Sequence, residues 1–443
     1  MTRLCLVVCL GLGLVSAFAD SDGFEQQRLR HWHQWRGPLG TGEAPFARPP
    51  LTWDEKTHIQ WKTPIPGRGA STPIVWGDRV FVLTAVDTGR QADPKDLPKV
   101  DPGFEVKTRP PTTYHQFLVL CLDRRTGRVL WQQLATEEVP HEGHHETHSY
   151  AAFSPTTDGQ SLYVSFGSRG LYCYDLDGRL LWKRRLGLMH TRYGWGEGAS
   201  PAVHRGTLVV NWDHEGDSFI VALDATSGDI RWKVDRPGEP SSWATPLIVD
   251  HQGRPQVVVN GARKVRGYDL ATGRVLWECG GQTINVIPSP VRLDDLVICM
   301  SGYRGSFAAA IPLSASGDVT DRPSWRYDRG TPYVPSPVLA NGRLWFTQGN
   351  TGLLSCLEGR TGKVVLDRER VPGLLSVYAS PVAAGDRIYL TGRDGRTIVI
   401  KQGDRLEVLA SNRVGEGVDA SPALVGNQLF LRGERHLFAI AEE

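Results

Sequence analysis

The segment Ala222–Trp232, which reads ALDATSGDIRW, contains the repeat that decides the fold. An aspartate is followed three residues later by Ser-Gly, and a tryptophan comes four residues after the glycine. The same order recurs from Asp123 to Trp131 and from Asp269 to Trp277. Glycine supplies the positive φ that a tight turn requires, and the aspartate can accept hydrogen bonds from turn amides. We therefore interpret each copy as a strand, a turn and a second strand that ends on tryptophan.

A Ser-Pro or Thr-Pro step followed by an apolar strand marks the start of each larger repeat. The eight prolines are Pro73, Pro155, Pro201, Pro246, Pro290, Pro337, Pro381 and Pro422. Their successive spacings are 82, 46, 45, 44, 47, 44 and 41 residues, which is the range of a four-stranded propeller blade. A hairpin turn such as Trp76-Gly77-Asp78 separates the first two strands of a copy. The sequence predicts an all-β fold, an eight-bladed β-propeller of four-stranded antiparallel blades.

The last copy ends near Ala441, after its third strand. The missing fourth strand is available at the other end of the chain, because His58-Ile59-Gln60-Trp61 has the tryptophan-terminated form and precedes Pro73. We expect this N-terminal strand to complete the last blade, since closing the ring removes exposed sheet edges. An open β-solenoid is the alternative, but it needs no strand from its far end.

The pattern Ala-x-Asp-x-x-Thr-Gly-x-x-x-Trp resembles the tryptophan-docking repeat of the pyrroloquinoline-quinone (PQQ)-like propeller superfamily. It is nearly complete at Ala222–Trp232 and close to complete at Gly267–Trp277. The resemblance covers about residues 57–443. It implies the fold, and it spans two functional groups, the quinoprotein alcohol dehydrogenases and the non-catalytic envelope scaffolds similar to BamB. Fold alone does not decide between them.

The N-terminus has the pattern of a secretory signal peptide over residues 1–19. Arg3 precedes an apolar run from Leu4 to Val15, and Ala17-Phe18-Ala19 forms a cleavage site. The run is too short to span a membrane, so we expect a chain exported to the periplasm or the cell exterior, cleaved near Ala19 and without a transmembrane segment when mature. Residues 20–56 form an N-terminal extension, in which Trp32 to Gly42 either packs over the ring or serves as a flexible linker. Residues 57–443 form the propeller.

Charge and cysteine usage narrow the functional classes further. The formal net charge is +2 and no basic block occurs, which argues against a nucleic-acid partner. Five cysteines lie beyond residue 19, an odd number that forbids complete pairing. Cys121, Cys173 and Cys356 occupy the same repeat position, where other copies have Ala222 and Gly267, so we expect buried, reduced thiols. We also expect a monomer.

Loops that link strands two and three, and loops that link successive blades, emerge on one face of a propeller, here called the top face. Both insertions of the long first copy, residues 85–115 and 132–149, belong to this face. Polar and aromatic residues are concentrated there, whereas the opposite face receives short turns, so any binding function is expected on the top face. The candidate ligand-binding or partner-binding residues are Arg192, Trp195, Glu197, Trp212, Asp213, His214, Glu215, Trp243, Asn285, Tyr303, Arg304, Tyr333, Tyr378 and Asp419.

Four histidines in the second insertion, His141, His144, His145 and His148, are candidate metal ligands. Their spacing fits no diagnostic motif, and a solvated polar loop is the alternative interpretation. The dehydrogenase hypothesis would place PQQ and Ca²⁺ in the top funnel, but the chain has no adjacent cysteines and no Cys-x-x-Cys-His haem site.

We therefore expect no cofactor, and the sequence favours a binding or scaffold protein of the cell envelope, similar to BamB. Its partner is an envelope protein or a small-molecule ligand on the top face. A PQQ-dependent alcohol or sugar dehydrogenase is the alternative.

Overall fold

Each sequence copy forms a separate antiparallel sheet whose inner strands are almost fully buried, and eight such sheets form a closed ring. The computed structural model describes residues 23–99 and 103–442, so the signal peptide predicted over residues 1–19 lies outside the described residues. Each copy contributes one blade, as the proline spacing predicts. The predicted eight-bladed all-β fold is confirmed. No helix in the described ranges is long and apolar enough to cross a membrane.

The first four blades follow the chain in order, each with its first strand lining the central channel. Blade one contains β2 (Ile74–Trp76), β3 (Arg79–Gln91), β4 (Thr113–Asp123) and β5 (Val129–Glu138). Blade two contains β6 (Thr156–Thr157), β7 (Ser161–Ser165), β8 (Leu171–Asp175) and β9 (Leu180–Arg184), with a 3₁₀ turn at Gly167–Arg169. Blade three contains β10 (Ala202–His204), β11 (Thr207–Trp212), β12 (Phe219–Asp224) and β13 (Ile230–Asp235). Blade four contains β14 (Leu247–His251), β15 (Arg254–Asn260), β16 (Lys264–Asp269) and β17 (Val275–Gly280).

The last four blades complete the ring, and the final one joins the two ends of the propeller. Blade five contains β18 (Val291–Leu293), β19 (Leu296–Ser301), β20 (Phe307–Pro312) and β22 (Trp325–Tyr327); the intervening β21 (Gly317–Asp318) pairs in parallel with β17. Blade six contains β23 (Val338–Ala340), β24 (Arg343–Thr347), β25 (Leu353–Glu358) and β26 (Val364–Arg370). Blade seven contains β27 (Val382–Ala384), β28 (Arg387–Thr391), β29 (Arg396–Lys401) and β30 (Val408–Arg413). Blade eight contains β31 (Ala423–Val425), β32 (Gln428–Arg432), β33 (His436–Ala441) and the N-terminal β1 (Ile59–Pro64).

The N-terminal strand closes the ring as the sequence predicts. β1 pairs antiparallel with β33, with Trp61 opposite Ala439 and Pro64 opposite His436. Trp61 is buried between blades eight and one, and its indole nitrogen donates to the carbonyl of Arg124, 2.9 Å away. The two ends of the propeller are therefore joined by backbone hydrogen bonds within one blade.

The Ser/Thr-Pro step has a structural role that explains its repetition. The amide of Ser154 donates to the hydroxyl of Ser200, and the amide of Ser200 donates to Thr245 Oγ1. The same bond joins the equivalent residues of blades one and two, and those of blades five to eight, at 2.9–3.1 Å. Each hydroxyl thus satisfies a buried amide of the preceding blade. These bonds link neighbouring blades around the channel.

Tryptophans at the ends of the fourth strands dock on the turn of the next blade. Trp182 donates its indole N–H to the carbonyl of Ala225, 3.0 Å away, and its ring covers Gly228. A Cβ at Gly228 would lie 2.7 Å from that ring, and the residue has a φ of +73°. Glycine is required there both for the close approach and for the backbone conformation. Trp131, Trp232 and Trp325 dock in the same way.

Residues 32–44 cross the lower end of the central channel. Trp32 pairs with Val75 of blade one, and Glu43 pairs with Ala383 of blade seven. Between them, the Arg36 guanidinium is buried and Nη2 donates to the carbonyls of Pro337 and Pro381, each at 2.8 Å. The extension therefore packs against blades one, six and seven, which favours a packed segment over a flexible linker.

Strand residues occupy part of each blade-one insertion, residues 85–115 and 132–149. β3 continues to Gln91 and β4 begins at Thr113, while β5 continues to Glu138. Within both ranges the blade-one strands extend beyond the ring and keep pairing there. The described top-face loop residues of this blade are 92–99, 103–112 and 139–149.

Candidate functional site

A cavity of about 370 Å³ opens on the top face at the centre of the ring. Its base is formed by Trp35, which also borders a second cavity on the lower side. The indole nitrogen of Trp35 donates to Ser289 Oγ at 2.9 Å, so the extension is bonded to the ring of hydroxyls. The channel is consequently divided, and the upper part is a blind pocket.

Aromatic side chains form most of the wall of this pocket. Its predicted lining residues are Trp195, Trp243, Tyr303, Tyr333, Tyr378 and Asp419. Trp195 meets Tyr303 edge-on at a centroid distance of 6.3 Å, and Tyr303 meets Tyr333 at 4.7 Å. Burial raises the pKa of Tyr333 to about 12, so its hydroxyl stays protonated and can donate a hydrogen bond. The pocket is suited to an apolar or aromatic group.

The insertions of blade one support one side of this pocket. The amide of Lys107 donates to the carbonyl of Tyr193, and Thr108 Oγ1 donates to the carbonyl of Gly194. The amide of His145 donates to the carbonyl of Trp195. These bonds hold the Trp195 loop between the two insertions, so the side chain is positioned by backbone contacts on both sides.

The Asp419 carboxylate lies on the pocket wall but is already paired. Arg393 donates to both of its oxygens, from Nε at 2.7 Å and from Nη2 at 3.1 Å. The same guanidinium lies 4.2 Å from the ring centroid of Tyr378, and Thr147 bonds the Tyr378 hydroxyl at 3.2 Å. Arg393 therefore holds the Asp419 carboxylate in place and compensates its charge.

Several polar candidates do not reach the pocket because their groups are used inside the protein. Glu197 accepts hydrogen bonds from the amide and hydroxyl of Ser168, and burial raises its pKa. Asp213 is buried and forms a bidentate ion pair with Arg236. His214 receives the amide of His190 at Nδ1. Hydrogen-bonded loop ends of this kind cannot be distinguished from exposed polar loops by residue type.

Trp212, Glu215 and Asn285 also lie outside the pocket lining. Trp212 is 2% exposed and stacks on Phe219 in the core between blades two and three. Glu215 accepts the amide of Ser241, and Asn285 is buried. A surface role for Trp212 was wrong because the last residue of β11 points into the blade interface.

Arg192 and Arg304 lie beside the aromatic wall without lining it. The Arg192 guanidinium is 5.1 Å from the Tyr193 ring centroid, and its charge acts to lower the pKa of Tyr333. The Arg304 guanidinium is 5.3 Å from the Tyr303 ring centroid. Both are therefore close to the rings that surround the pocket mouth.

The four histidines of the second insertion point in different directions. His141 Nε2 lies 2.6 Å from the carbonyl of Met189, whereas His148 Nε2 lies 2.9 Å from the carbonyl of Glu197. His144 and His145 contact Tyr150 and Trp195. In the described residues, no three His, Cys, Asp or Glu side chains are gathered as metal ligands. His145 and His148 instead contribute to the pocket wall.

The residues do not fit a bound quinone with calcium. Of the three carboxylates available for such a site, Glu197 and Asp213 are buried in internal bonds, and Asp419 has both oxygens on Arg393. None is left to provide calcium ligands in the pocket. The pocket keeps the aromatic surface but lacks a free carboxylate cluster.

Trp35 and the small residues of the hydroxyl ring are pocket residues that sequence reasoning missed. Trp35 comes from the extension, and its contact Ser289 is 254 positions away. The Ser/Thr-Pro repeat offered a usable indication, because five of its hydroxyl residues, Ser200, Thr245, Ser289, Ser380 and Ser421, border the pocket.

Comparison with known proteins gives one family and one shared fold. The family model described as outer membrane protein assembly factor BamB matches residues 115–365. The outer membrane protein assembly factor BamB of Bordetella pertussis is 22% identical over 322 residues, which cover 69% of this chain and 73% of that protein.

Two solved structures share the architecture at low identity. BamB from Moraxella catarrhalis has 14% identity and a TM-score of 0.52, covering 77% of this chain and 98% of that one. The quinohemoprotein alcohol dehydrogenase from Comamonas testosteroni has 11% identity and a TM-score of 0.62, covering 96% and 83% respectively. These likenesses concern the fold alone.

Proposed function

The chain belongs to the family described as outer membrane protein assembly factor BamB, and from this we propose that it is an exported envelope scaffold for outer-membrane protein assembly. It binds a protein partner on its top face, with the aromatic pocket at the centre of the contact. The secretory pattern of residues 1–19 supports export, and the family's description supports the periplasm as the compartment.

The observation that carries this proposal is the set of half-exposed aromatic rings around the blind pocket. Trp195, Trp243 and Tyr303 keep part of their surface in solvent although they sit at the centre of the ring. Tryptophan and tyrosine in a central pocket supply most of the energy in protein interfaces. A rigid propeller presents them with little loss of entropy on binding.

The carboxylates support binding rather than catalysis. Glu197, Asp213 and Asp419 are held by Ser168, Arg236 and Arg393 respectively. A general base or metal ligand needs an accessible oxygen within reach of a substrate. The pocket therefore offers aromatic surface and hydrogen-bonding hydroxyls but no free acid.

The test is complementation in the organism that encodes the protein. Loss of the gene should lower the amounts of outer-membrane β-barrel proteins, and the wild-type gene should restore them. The double variant Trp195→Ala/Trp243→Ala should fail to restore them while its melting temperature stays close to that of the wild type. Trp76→Ala is the matched control, because Trp76 lies in the blade-one hairpin on the opposite face.

Full complementation by the double variant would contradict a role for the pocket. Unchanged outer-membrane proteins after loss of the gene would contradict the assembly function itself.

A further inference from the structure

We propose that the pocket binds an extended protein segment in which an aromatic side chain is adjacent to a carboxylate, with Arg192 and Arg304 contacting that carboxylate. This inference rests on the proposed function and specifies the chemistry of the partner. The aromatic side chain enters the pocket above Trp35, and the acidic group stays at the mouth.

Within the described part of the chain, two arginines beside the pocket mouth have no acidic partner. Among the described residues, neither the Arg192 nor the Arg304 side chain forms an ion pair with a carboxylate, and Arg192 Nε is buried without a hydrogen-bond partner. Arg393, on the same face, has its carboxylate in Asp419. Two arginines thus lack the partner that the third possesses. An incoming carboxylate would supply it through charge-assisted hydrogen bonds.

The surroundings of the two arginines favour an aromatic neighbour for that carboxylate. Arg192 lies against Tyr193, which meets Trp195 at a centroid distance of 5.1 Å. Arg304 lies against Tyr303, which lines the pocket. A carboxylate bound by these guanidinium groups would therefore be next to a ring that enters the aromatic cavity.

The extent of the apolar surface favours a protein segment over a small acid. At about 370 Å³, the cavity is near the lower limit of small-molecule pockets, so it accepts one bulky side chain and its adjoining backbone. Exposed apolar side chains occur in loops that also line the cavity: Leu375 is 79% exposed in the loop that carries Tyr378. Ile284, in the loop that carries Ile287, is also exposed. An extended segment would cover both the cavity and these side chains.

Binding of blocked peptides to the full chain tests the proposal. The probes are acetyl-Ser-Phe-Asp-Ser-amide and its Asp-to-Asn and Phe-to-Ala versions, followed by saturation-transfer NMR at low salt. We expect the acidic peptide to bind at least about threefold more tightly than the Asn peptide, the size of a partly exposed ion pair. The Ala peptide should bind weakly or not at all.

Two variants assign that preference to the arginines. In Arg192→Gln/Arg304→Gln the acidic and Asn peptides should bind equally. Arg263→Gln is the matched control, because Arg263 is an exposed top-face arginine outside the pocket lining, and it should keep the preference. Equal binding of the two peptides by the wild type, or a preference that persists in the double variant, would overturn the proposal. Absence of binding by all peptides would overturn it too.

A small acid is the remaining occupant, and 3-phenylpropionate with its amide tests it. Binding of the acid without binding of the blocked acidic peptide would assign the pocket to a small molecule and overturn a protein segment as occupant. Failure of this inference is distinguishable from failure of the proposed function. If Arg192→Gln/Arg304→Gln complements fully while Trp195→Ala/Trp243→Ala does not, only the carboxylate recognition is wrong.

Discussion

The indole nitrogen of Trp35 lies 2.9 Å from the hydroxyl oxygen of Ser289. This bond connects the N-terminal extension to the ring of Ser and Thr hydroxyls at the channel. Ser289 Oγ accepts the indole at a position where other members of the ring accept a backbone amide. The extension is thus part of the channel wall, and it gives the upper pocket its base.

Trp35→Phe should keep an aromatic side chain at this position but remove the hydrogen bond to Ser289. We expect the free energy of unfolding to fall by about 1 kcal/mol, the typical value of one such bond. Trp35→Ala should also deepen the pocket, and its loss of stability should be larger. Chemical denaturation of the three proteins measures both effects. Equal stability of Trp35→Phe and the wild type would show that the bond contributes nothing.

Trp61→Ala should test the closure of the ring. Trp61 is buried between blades eight and one, and truncating a buried tryptophan typically costs about 3–5 kcal/mol. The melting temperature should fall clearly below that of Trp76→Ala, which changes a tryptophan outside the closing blade. Deletion of the residues that precede Pro73, which removes β1, should destabilise the chain further. Unchanged melting of either closure variant would contradict the role of β1.

The five described cysteines should be unreactive in the folded protein. All are buried and free, which confirms the burial expected for Cys121, Cys173 and Cys356. Burial raises the pKa of each of these three thiols to about 12, so the reactive thiolate is scarce at neutral pH. A bulky thiol reagent should label none of them until denaturant is added. Rapid labelling without denaturant would overturn this expectation.

His148 should make the fold less stable at acidic pH. Burial lowers its pKa to about 4, whereas the unfolded chain binds this proton near pH 6.5. Protons therefore favour the unfolded state, and the free energy of unfolding falls as the pH decreases from about 6.5 to about 4, by up to about 1.4 kcal/mol per pH unit.

His148→Gln should remove this part of the pH dependence, as urea titrations at several pH values would show. His251→Gln, in blade four, is the control. Equal slopes for His148→Gln and the wild type would contradict the assignment.

Added PQQ and calcium should produce no cofactor spectrum and no reduction of an artificial electron acceptor. The reason is that Glu197, Asp213 and Asp419 are bonded to Ser168, Arg236 and Arg393. Absorption spectroscopy and a dye-reduction assay check this. Calcium-dependent turnover would restore the dehydrogenase alternative.

The fold was predictable because its determinants repeat along the chain. The turn that begins at Asp224 and the strand end at Trp232 both recur with the period of a blade. A period of this length in a chain of short strands indicates a propeller. The incomplete last copy likewise indicated the N-terminal strand near Trp61. These features are local patterns, so they are readable without knowledge of distant contacts.

The site was only partly predictable because burial of polar residues depends on distant partners. Trp195 and Tyr303 were found from their position in top-face loops. The removal of Asp213 from the surface depends on Arg236, and the base of the pocket depends on a contact between Trp35 and Ser289. No spacing in the sequence indicates such contacts.

The pairing of β1 with β33 determines the order in which the chain can fold. Ile59 and Trp61 precede blade one in the chain, whereas their partners Ile440 and Ala439 belong to blade eight. Glu43 likewise pairs with Ala383, which belongs to blade seven and is synthesised much later. During synthesis the N-terminal segment must stay without its native neighbours while seven blades form behind it. Chaperone binding to this segment would therefore be most valuable until the final strand emerges, and ring closure would be a late step of folding.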